Sequence, residues 1–328
     1  MSFFAILCAL LLEQVRPLAP HNTIHTWLRG WVRWTSDNFD AGKSSHGWVT
    51  WGLAVLLPTL LTLGMHWLLV WVLGWPVAVL WSVAVLYTTL GFRQFSHHFT
   101  EIRNALEAGD EIQARACLAS WQRVDASALP RSEIVRHVIE YSVLAAHRHV
   151  FGVLAWFSVL AAFGFGPAGA VFYRLSEFAA RYWCNKHSTQ QHPASVALQE
   201  AAGGAWTVID WLPARATAMG FAIVGSFEDA IDSWRHHAQQ FPNDNDGVIL
   251  AATSGAVNVR LGGEALKAKP VPHAVQTFEA DVEQLDSMAT PGREPELGHL
   301  RSVVGLVWRT VVMWLGLLAL LTLARLLG

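Results

Sequence analysis

The sequence predicts an all-α integral membrane protein, and three observations carry that prediction. Hydrophobic residues make up 53% of the 328-residue chain and charged residues only 15%, against about a quarter charged in an ordinary soluble domain. The 49 residues between Lys43 and Arg93 contain no charged side chain, and neither do the 25 residues between Arg148 and Arg174. Since about 20 apolar residues cross the hydrocarbon core as a helix, the first run is long enough for two spans.

Residues 1–92 are predicted to form N-terminal membrane helices. The apolar run from Ser2 to Leu12 is interpreted as a retained helix, either a short span or a half-inserted one. Residues 47–92 form a helical hairpin that breaks at Gly74-Trp75-Pro76, because proline cannot continue a helix interior and glycine ends a helix cheaply. The flanking loops, 13–46 and 93–148, carry four and seven Lys/Arg, so the positive-inside bias places both in the cytoplasm.

Residues 93–148 are predicted to be a cytoplasmic helical insertion, since apolar side chains recur at helical spacing on both sides of a turn at 125–130. Residues 149–263 are interpreted as broken membrane helices around a site. Within them, Gly164-Phe165-Gly166-Pro167 divides an apolar stretch into one broken span or a re-entrant pair of half-helices, and the two alternatives put residues 174–301 on opposite sides of the membrane. Residues 264–301 are predicted to be a mobile linker and residues 302–328 a C-terminal membrane helix, which gives about four or five apolar helices.

The composition also bounds the partners. The 23 basic and 25 acidic residues give a net charge of −2, and no basic cluster suited to a phosphate backbone appears, so nucleic acid is excluded as a partner. Cys8, Cys117 and Cys184 are widely spaced and form no metal-binding pair, which indicates free thiols. The lipid bilayer is the partner that the sequence predicts, and the oligomeric state stays open.

Ionisable groups near apolar runs are the candidate site residues, because such groups are costly at membrane depth and are usually paired or functional. Glu140 shares a helical stripe with His137, which is either a solvated or interfacial face or a pair that holds a cation or a proton. Asp210 and Arg215 flank Pro213, where a broken helix is expected to line a cavity.

Two further acidic patterns each have a structural and a functional interpretation. Glu177 can pair with both Arg174 and Arg181 as a structural ion ladder, or the arginines can bind an anion. Asp229 and Asp232 are weak candidates for holding Mg²⁺, whereas Ser226 to Asp229 also has the form of a capping box that opens a helix.

Several motifs, taken in order, resemble the CobD/CbiB family of cobalamin-biosynthesis membrane proteins and its AmpE inner-membrane relatives. The matching pieces are Ala105-Leu106-x-x-Gly109-Asp110, Gly166-Pro167-x-Gly169-Ala170 with Tyr173-Arg174, Trp211-Leu212-Pro213-Ala214-Arg215, Asn245-x-Gly247 and Val259-Arg260-Leu261-Gly262-Gly263.

The resemblance implies a multi-pass protein of the bacterial inner membrane. It implies an adenosylcobinamide-phosphate synthase, which uses ATP and Mg²⁺ to join aminopropanol or its phosphate to adenosylcobyric acid, a corrinoid. Asp210 and Glu140 would then be the catalytic acids, and Arg174 and Arg215 would bind phosphate or another small anionic ligand. The substrate loop would be formed by Asn245, Gly247, Arg260, Gly262 and Gly263.

The chain departs from the enzyme pattern at several acids. Glu13-Gln14-Val15 stands where the resemblance implies Gly-Asp-Pro, Arg148 stands at an aspartate position, and Leu250 stands at a glutamate position. These losses would impair the handling of Mg²⁺ and ATP, so a divergent member is expected. The alternative is an AmpE-like membrane sensor, not an enzyme, linked to cell-wall stress and β-lactamase induction.

Overall fold

The computed structural model describes residues 2–16, 23–122, 124–185, 194–266 and 286–327. The chain divides into two compact units. Unit 1 comprises residues 1–93, 148–213 and 314–328, and unit 2 comprises residues 94–147 and 214–313.

Helices dominate the described residues, as the sequence predicts. A π-helical turn (His147–Phe151) follows α7, and a 3₁₀ turn (Ala238–Gln240) follows α11. In chain order the α-helices are α1 (Ser2–Val15), α2 (Thr23–Phe39), α3 (Ser44–Leu73), α4 (Trp75–Thr89), α5 (Phe92–Glu107), α6 (Glu111–Gln122), α7 (Arg131–Ala146), α8 (Gly152–Ala162), α9 (Ala168–Asn185), α10 (Val196–Val224), α11 (Phe227–His237), α12 (Asp244–Val257) and α13 (Leu297–Leu327).

Three helical stretches among the described residues are long and apolar enough to cross a membrane: Ser44–Leu73, Arg131–Ala162 and Leu297–Ala324. Two shorter apolar helices, Phe3–Val15 and Trp75–Thr89, accompany them. The all-α membrane fold is therefore confirmed. The stretch Arg131–Ala162 begins inside the predicted cytoplasmic insertion and consists of α7 followed by α8. It is largely buried, since α7 packs on α6 and α12.

The predicted break between α3 and α4 is confirmed. Helix α3 ends at Leu73, Gly74 has φ 82°, and α4 begins at Trp75 with Pro76 in its first turn. Glycine tolerates the positive φ, and the missing N–H of proline costs nothing in the first turn of a helix. The sequence chemistry of this corner is thus enough to fix its position.

The predicted break at 164–167 is confirmed as well, and it turns α8 into α9. A Cβ atom on Gly152 would lie 2.0 Å from the Tyr173 ring, and one on Gly169 would lie 2.1 Å from the Trp156 carbonyl oxygen. The first residue contacted in α8, Gly152, meets the later residue of α9, Tyr173, and Trp156 meets the earlier Gly169. The two helices are therefore antiparallel. Their backbones approach closely because both contact positions are glycine.

The α8–α9 turn and the start of α10 are both held beside α3 in unit 1. The Trp67 indole nitrogen donates to the carbonyl oxygen of Gly164 at 3.1 Å, which places the α8–α9 turn beside the C-terminal part of α3. Asp40, just before α3, accepts hydrogen bonds from the Ser195 backbone N–H at 2.8 Å and hydroxyl at 2.6 Å. The start of α10 therefore lies beside the start of α3.

The break expected at Pro213 is wrong. Helix α10 runs without interruption from Val196 to Val224 with Pro213 inside it, as α3 does with Pro58. Proline removes one backbone hydrogen bond but does not end a helix that its neighbours hold in place. The buried residues on both sides of Pro213, Asp210 and Ala214 among them, show that α10 is packed at this position.

Helix α11 begins at Phe227 after Ser226, as predicted, but the hydrogen bonds of a capping box do not form. The Ser226 hydroxyl instead donates to the Asp229 carboxylate at 2.6 Å, and the side chain makes no bond to a helix N–H. Asp229 still stabilises the start of the helix, because the helix dipole favours a carboxylate in the first turn, and Ser226 holds this carboxylate by its hydrogen bond.

Half of the predicted mobile linker, residues 267–285, lies outside the described residues, so its mobility stays a prediction. The described part that follows is bound within unit 2: Thr290 N–H donates to Leu261 O at 2.7 Å, and Arg260 N–H donates to Arg293 O at 2.8 Å. Farther along, Arg301 donates to Glu107 at 2.9 Å, and this bond lowers the pKa of Glu107 below its usual value.

A Gly169→Ala variant tests the close contact between α8 and α9. The added methyl group meets a backbone carbonyl that cannot rotate away, so we expect the free energy of unfolding to fall by roughly 1–3 kcal/mol, as in other overpacked cores. Thermal unfolding of the purified protein in detergent measures the change.

The matched control is Gly204→Ala in α10, where the new Cβ atom meets nothing within 4 Å. This change should raise stability by about 0.5–1 kcal/mol, since alanine favours a helix interior over glycine. Equal melting temperatures for the two variants would contradict the close packing of α8 on α9.

Candidate functional site

A buried cluster of ionisable side chains lies on α7 in unit 2. The Arg136 side chain is 3% exposed and lies between two glutamates. Its Nη1 donates to Glu140 Oε1 at 3.1 Å, and its Nε donates to Glu133 Oε2 at 2.8 Å. The i,i+3 and i,i+4 spacing of the three residues brings them to one face of the helix. The buried charge of Glu140, also 3% exposed, is thereby compensated.

The same cluster binds a glycine-containing loop, residues 259–266. Glu140 Oε1 accepts a hydrogen bond from the Gly262 backbone N–H at 2.7 Å, and Arg136 Nη2 donates to the Glu264 carbonyl oxygen at 2.8 Å. Gly262 has φ 83° and Gly263 has φ 123°, conformations that glycine adopts without strain. A Cβ atom on Gly262 would also lie 2.5 Å from the Met288 carbonyl oxygen. Only glycine fits at position 262, so this residue of the motif is explained by the backbone conformation and the close contact with Met288.

His137 completes the cluster from the same helix. Its Nε2 lies 2.9 Å from Arg136 Nη2. Because a guanidinium only donates, Nε2 must accept and the ring proton must sit on Nδ1. That proton faces Glu140 Oε2, which is 3.6 Å from Nδ1. The stripe is therefore formed, but it is buried and not a solvated face, and the Arg136 guanidinium contacts both residues in place of a shared cation.

Arg215 and Asn245 meet in a second contact of unit 2. Arg215 Nη1 donates to Asn245 Oδ1 at 3.0 Å, and Asn245 is 1% exposed at the start of α12. The N-cap of α12 is Asn243, whose side chain accepts from the Asn245 N–H. Gly247 has a packing role, since a Cβ atom there would lie 2.2 Å from the Ala238 carbonyl oxygen. This contact brings together one predicted arginine and one predicted amide.

Asp210 is placed in unit 1, where it accepts a hydrogen bond from the Tyr173 hydroxyl at 2.8 Å. Both side chains are buried, with Asp210 1% exposed. Gly152 makes room for Tyr173, because any side chain there would occupy the position of the ring. Asp210 and Arg215, predicted as a pair, thus bond to Tyr173 and Asn245 respectively.

The ion ladder on α9 is confirmed. Glu177 Oε2 accepts from Arg174 Nη1, and Glu177 Oε1 pairs with Arg181 Nε. Glu177 is 1% exposed while the two arginine side chains are 13% and 18% exposed. Two arginines around one buried carboxylate leave an excess of one positive charge in the ladder.

The remaining predicted residues lie at the surface of unit 2. Asp229 and Asp232 are exposed; Asp229 accepts from Ser226, and Asp232 lies 3.1 Å from His236. Arg260 is exposed beside the buried Leu261. Within the described ranges, no group of three or more His, Cys, Asp or Glu side chains is placed to hold a metal ion.

Three residues of these clusters, Glu133, Arg136 and Tyr173, were missed in the sequence analysis. Arg136 stands four residues before Glu140, a spacing that signals an ion pair on a helix. Tyr173 was noticed only as a neighbour of Arg174, and its bond to Asp210, 37 positions away, carries no local signal.

Comparison with known proteins yields one family for this chain. Residues 3–288 match the family model described as CobD/Cbib protein. The protein named Cobalamin biosynthesis protein CobD from Stutzerimonas stutzeri (strain A1501) is 29% identical over 276 residues, which cover 84% of this chain and 81% of that protein. The protein of the same name from Chromobacterium violaceum is 32% identical over 183 residues, or 56% of this chain and 55% of that protein. No solved structure matches the chain.

A Glu140→Ala variant tests the ion cluster. It leaves the Gly262 N–H without its acceptor and removes one of the two carboxylates around buried Arg136, so the free energy of unfolding should fall by roughly 3–5 kcal/mol. Glu140→Gln keeps an acceptor for Gly262 and should lose less. Thermal unfolding gives the global effect, and hydrogen exchange at the Gly262 amide gives the local one.

Glu228→Gln, on the exposed first turn of α11, is the matched control: it should leave exchange at the Gly262 amide unchanged and cost at most about 1 kcal/mol of stability, since it removes one charge from a helix N-terminus. If the Gly262 amide exchanged no faster in Glu140→Ala than in Glu228→Gln, the carboxylate would not be what holds the loop.

Proposed function

The chain belongs to the CobD/CbiB family of cobalamin-biosynthesis membrane proteins, and from that premise we propose that it is a divergent adenosylcobinamide-phosphate synthase. In this proposal the protein is a multi-pass protein of the bacterial inner membrane. It joins the amine of aminopropanol, or of its phosphate, to a carboxyl group of adenosylcobyric acid. The observation that carries the proposal is the family match over residues 3–288.

The proposed reaction forms an amide bond as the amine nitrogen displaces one oxygen of the carboxyl group. In the proposal that oxygen first takes a phosphoryl group from ATP, which is a substrate, and leaves with it as phosphate when the amine attacks, while the amine gives up a proton to a base. The protein must then bind two anionic substrates and hold the amine near the carboxyl carbon, since positioning alone lowers such barriers by several kcal/mol.

Cationic side chains are the groups best suited to the substrate phosphates. Arg215 is half-buried and its guanidinium is oriented by Asn245, while Arg260 is exposed on the loop that Glu140 holds. An oriented guanidinium binds phosphate or carboxylate through two parallel hydrogen bonds. Arg174, in the ion ladder of α9, has a guanidinium of the same chemistry in unit 1.

The two predicted catalytic carboxylates, Glu140 in unit 2 and Asp210 in unit 1, have separate roles in the proposal. Glu140 is a positioning residue, since its bonds to Arg136 and the Gly262 N–H occupy it in shaping the substrate loop. Asp210 is the proposed proton acceptor for the attacking amine, with Tyr173 orienting it.

The four carboxylates that the sequence offered, Glu140, Asp210, Asp229 and Asp232, do not form a Mg²⁺ site in the structure. Magnesium takes oxygen ligands in octahedral geometry and usually binds through one or two carboxylates that are free to coordinate it. Glu140 is already bound to Arg136, Asp210 accepts from Tyr173, and Asp229 and Asp232 are exposed with other partners. What we assign to the protein is therefore the binding and orientation of the anionic substrates.

An AmpE-like sensor is the second candidate function. The observation that favours it is that Glu140 is bound in an ion cluster while other acids of the enzyme pattern are replaced, as by Arg148 and Leu250. A protein of this kind would bind an anionic ligand through the same arginines without turning it over.

The direct test is product formation by the full-length protein purified in detergent. Incubation with adenosylcobyric acid, aminopropanol phosphate, ATP and Mg²⁺ should yield adenosylcobinamide phosphate, detected by mass spectrometry. Arg215→Ala should lower kcat/KM by about ten- to a hundredfold, the value of a charged hydrogen bond. Asp210→Asn should lower kcat by about a hundredfold or more, as expected for loss of a general base.

Arg235→Ala is the matched control, since Arg235 is an exposed arginine near the end of α11. It should leave both kinetic constants unchanged. Absence of product from the wild-type protein, beside an active family member, would overturn the ligase and leave the sensor. Variants of Arg215 or Asp210 that unfold would reassign those residues to structure.

A further inference from the structure

Helix α2 has three chemically different faces. One face packs within unit 1: Val32 and Thr35 are fully buried, and the Trp31 indole nitrogen donates to the Ala54 carbonyl oxygen of α3 at 3.1 Å. These contacts fix α2 beside the first part of α3, so the other two faces have a defined orientation.

The second face is aromatic. Trp27, Trp31 and Trp34 follow at i, i+4 and i+7 and therefore form one stripe. Their rings stack at centroid distances of 6.2 and 5.4 Å, yet Trp27 is 61% and Trp34 50% exposed. Large aromatic rings with this exposure point to an apolar or amphipathic environment outside the chain.

The third face is charged. The side chains of Arg33 and Asp37 are 64% and 40% exposed and pair with each other at 3.4 Å. They lie about 100° around the helix from the tryptophan stripe, as 100° per residue requires. One helix thus presents protein contacts, aromatic rings and charged groups on successive sides, the pattern of a helix lying in a membrane interface.

Tryptophans on α3 indicate where the membrane surfaces are. Trp48 is 50% exposed near the start of this helix, and Trp71 is 86% exposed near its end. Trp71 stands 23 positions after Trp48, so the two are about 35 Å apart along the helix axis. This distance exceeds the roughly 30 Å thickness of the hydrocarbon core but not that of the full bilayer. Exposed Leu60 and Leu61 lie between the two, so the tryptophans fit the two aromatic belts of a spanning helix.

We infer that α2 is an interfacial helix whose tryptophan stripe, Trp27, Trp31 and Trp34, binds the boundary between lipid headgroups and acyl chains where α3 enters the bilayer. The lipid is the occupant because the stripe lies beside a membrane-spanning helix: Trp31 bonds to α3 at Ala54, six residues, or about 9 Å, beyond Trp48. The neighbouring charged face turns to water. This inference is independent of the proposed reaction.

The start of α10 lies on this same side of the membrane, because Asp40 binds Ser195 next to the start of α3. The α8–α9 turn lies toward the opposite belt, where Trp67 binds Gly164. The interfacial helix and the chain that leads into α10 therefore share one membrane surface.

Spin-label accessibility in nanodiscs of phosphatidylcholine and phosphatidylglycerol tests the inference. The full chain carries Ser at the three native cysteines and a single nitroxide-labelled Cys in place of Trp27, Trp34 or Arg33. Oxygen concentrates in lipid and a nickel chelate in water, so their relative collision rates report depth. Leu60→Cys on α3 is the hydrocarbon reference, and Ile112→Cys on α6, 79% exposed, is the reference outside the spans.

The oxygen-to-nickel ratio at positions 27 and 34 should lie between those of the two references, and the ratio at position 33 should approach that of Ile112→Cys. A ratio at 27 and 34 equal to that at 33 would overturn the inference by placing the stripe in water. Low collision rates with both reagents at 27 and 34 would also overturn it, since the stripe would then be covered by protein. Melting temperatures within the error of the parent protein show that each labelled chain is folded.

Discussion

The guanidinium of Arg136 is the group on which the arrangement of unit 2 depends. A charge at 3% exposure is stable only when its hydrogen bonds are satisfied. Arg136 meets that condition by binding Glu133, Glu140 and the carbonyl oxygen of Glu264. Because Glu140 in turn accepts from the Gly262 N–H, one buried cation orders a helix and a loop more than 120 residues away. The loop geometry is therefore a consequence of charge compensation.

Unit 1 applies the same constraint with different groups. Glu177 is compensated by two arginines on its own helix, and Asp210 accepts from a buried tyrosine of another helix. Tyr173 reaches Asp210 only because Gly152 leaves space for its ring. Close helix packing and polar satisfaction are thus linked, since a larger residue at 152 would remove the donor that Asp210 uses.

Local chemistry predicted the features whose causes lie within a few residues. The corner at Gly74 and the ladder around Glu177 follow from proline and glycine geometry and from i,i+3 and i,i+4 spacing, and both are confirmed. Pro213 failed as a predictor because packing along α10 overrides a local helix breaker. The bond between Glu140 and Gly262 could not be predicted, since register between distant segments is set by packing that one sequence does not reveal.

The family assignment and the site geometry bear on different parts of the function. Family membership supports the proposed substrates, whereas the contacts of each side chain limit the chemical role that it can take. A carboxylate that balances a buried arginine cannot also bind a metal ion without leaving the charge of that arginine uncompensated. Such a loss costs several kcal/mol. Glu140 is in that position, whereas Arg215 is half-buried and oriented by a neutral amide. In the proposed reaction, recognition of the anionic substrates is therefore assigned to arginines, and a catalytic acid is to be sought away from the Arg136 cluster.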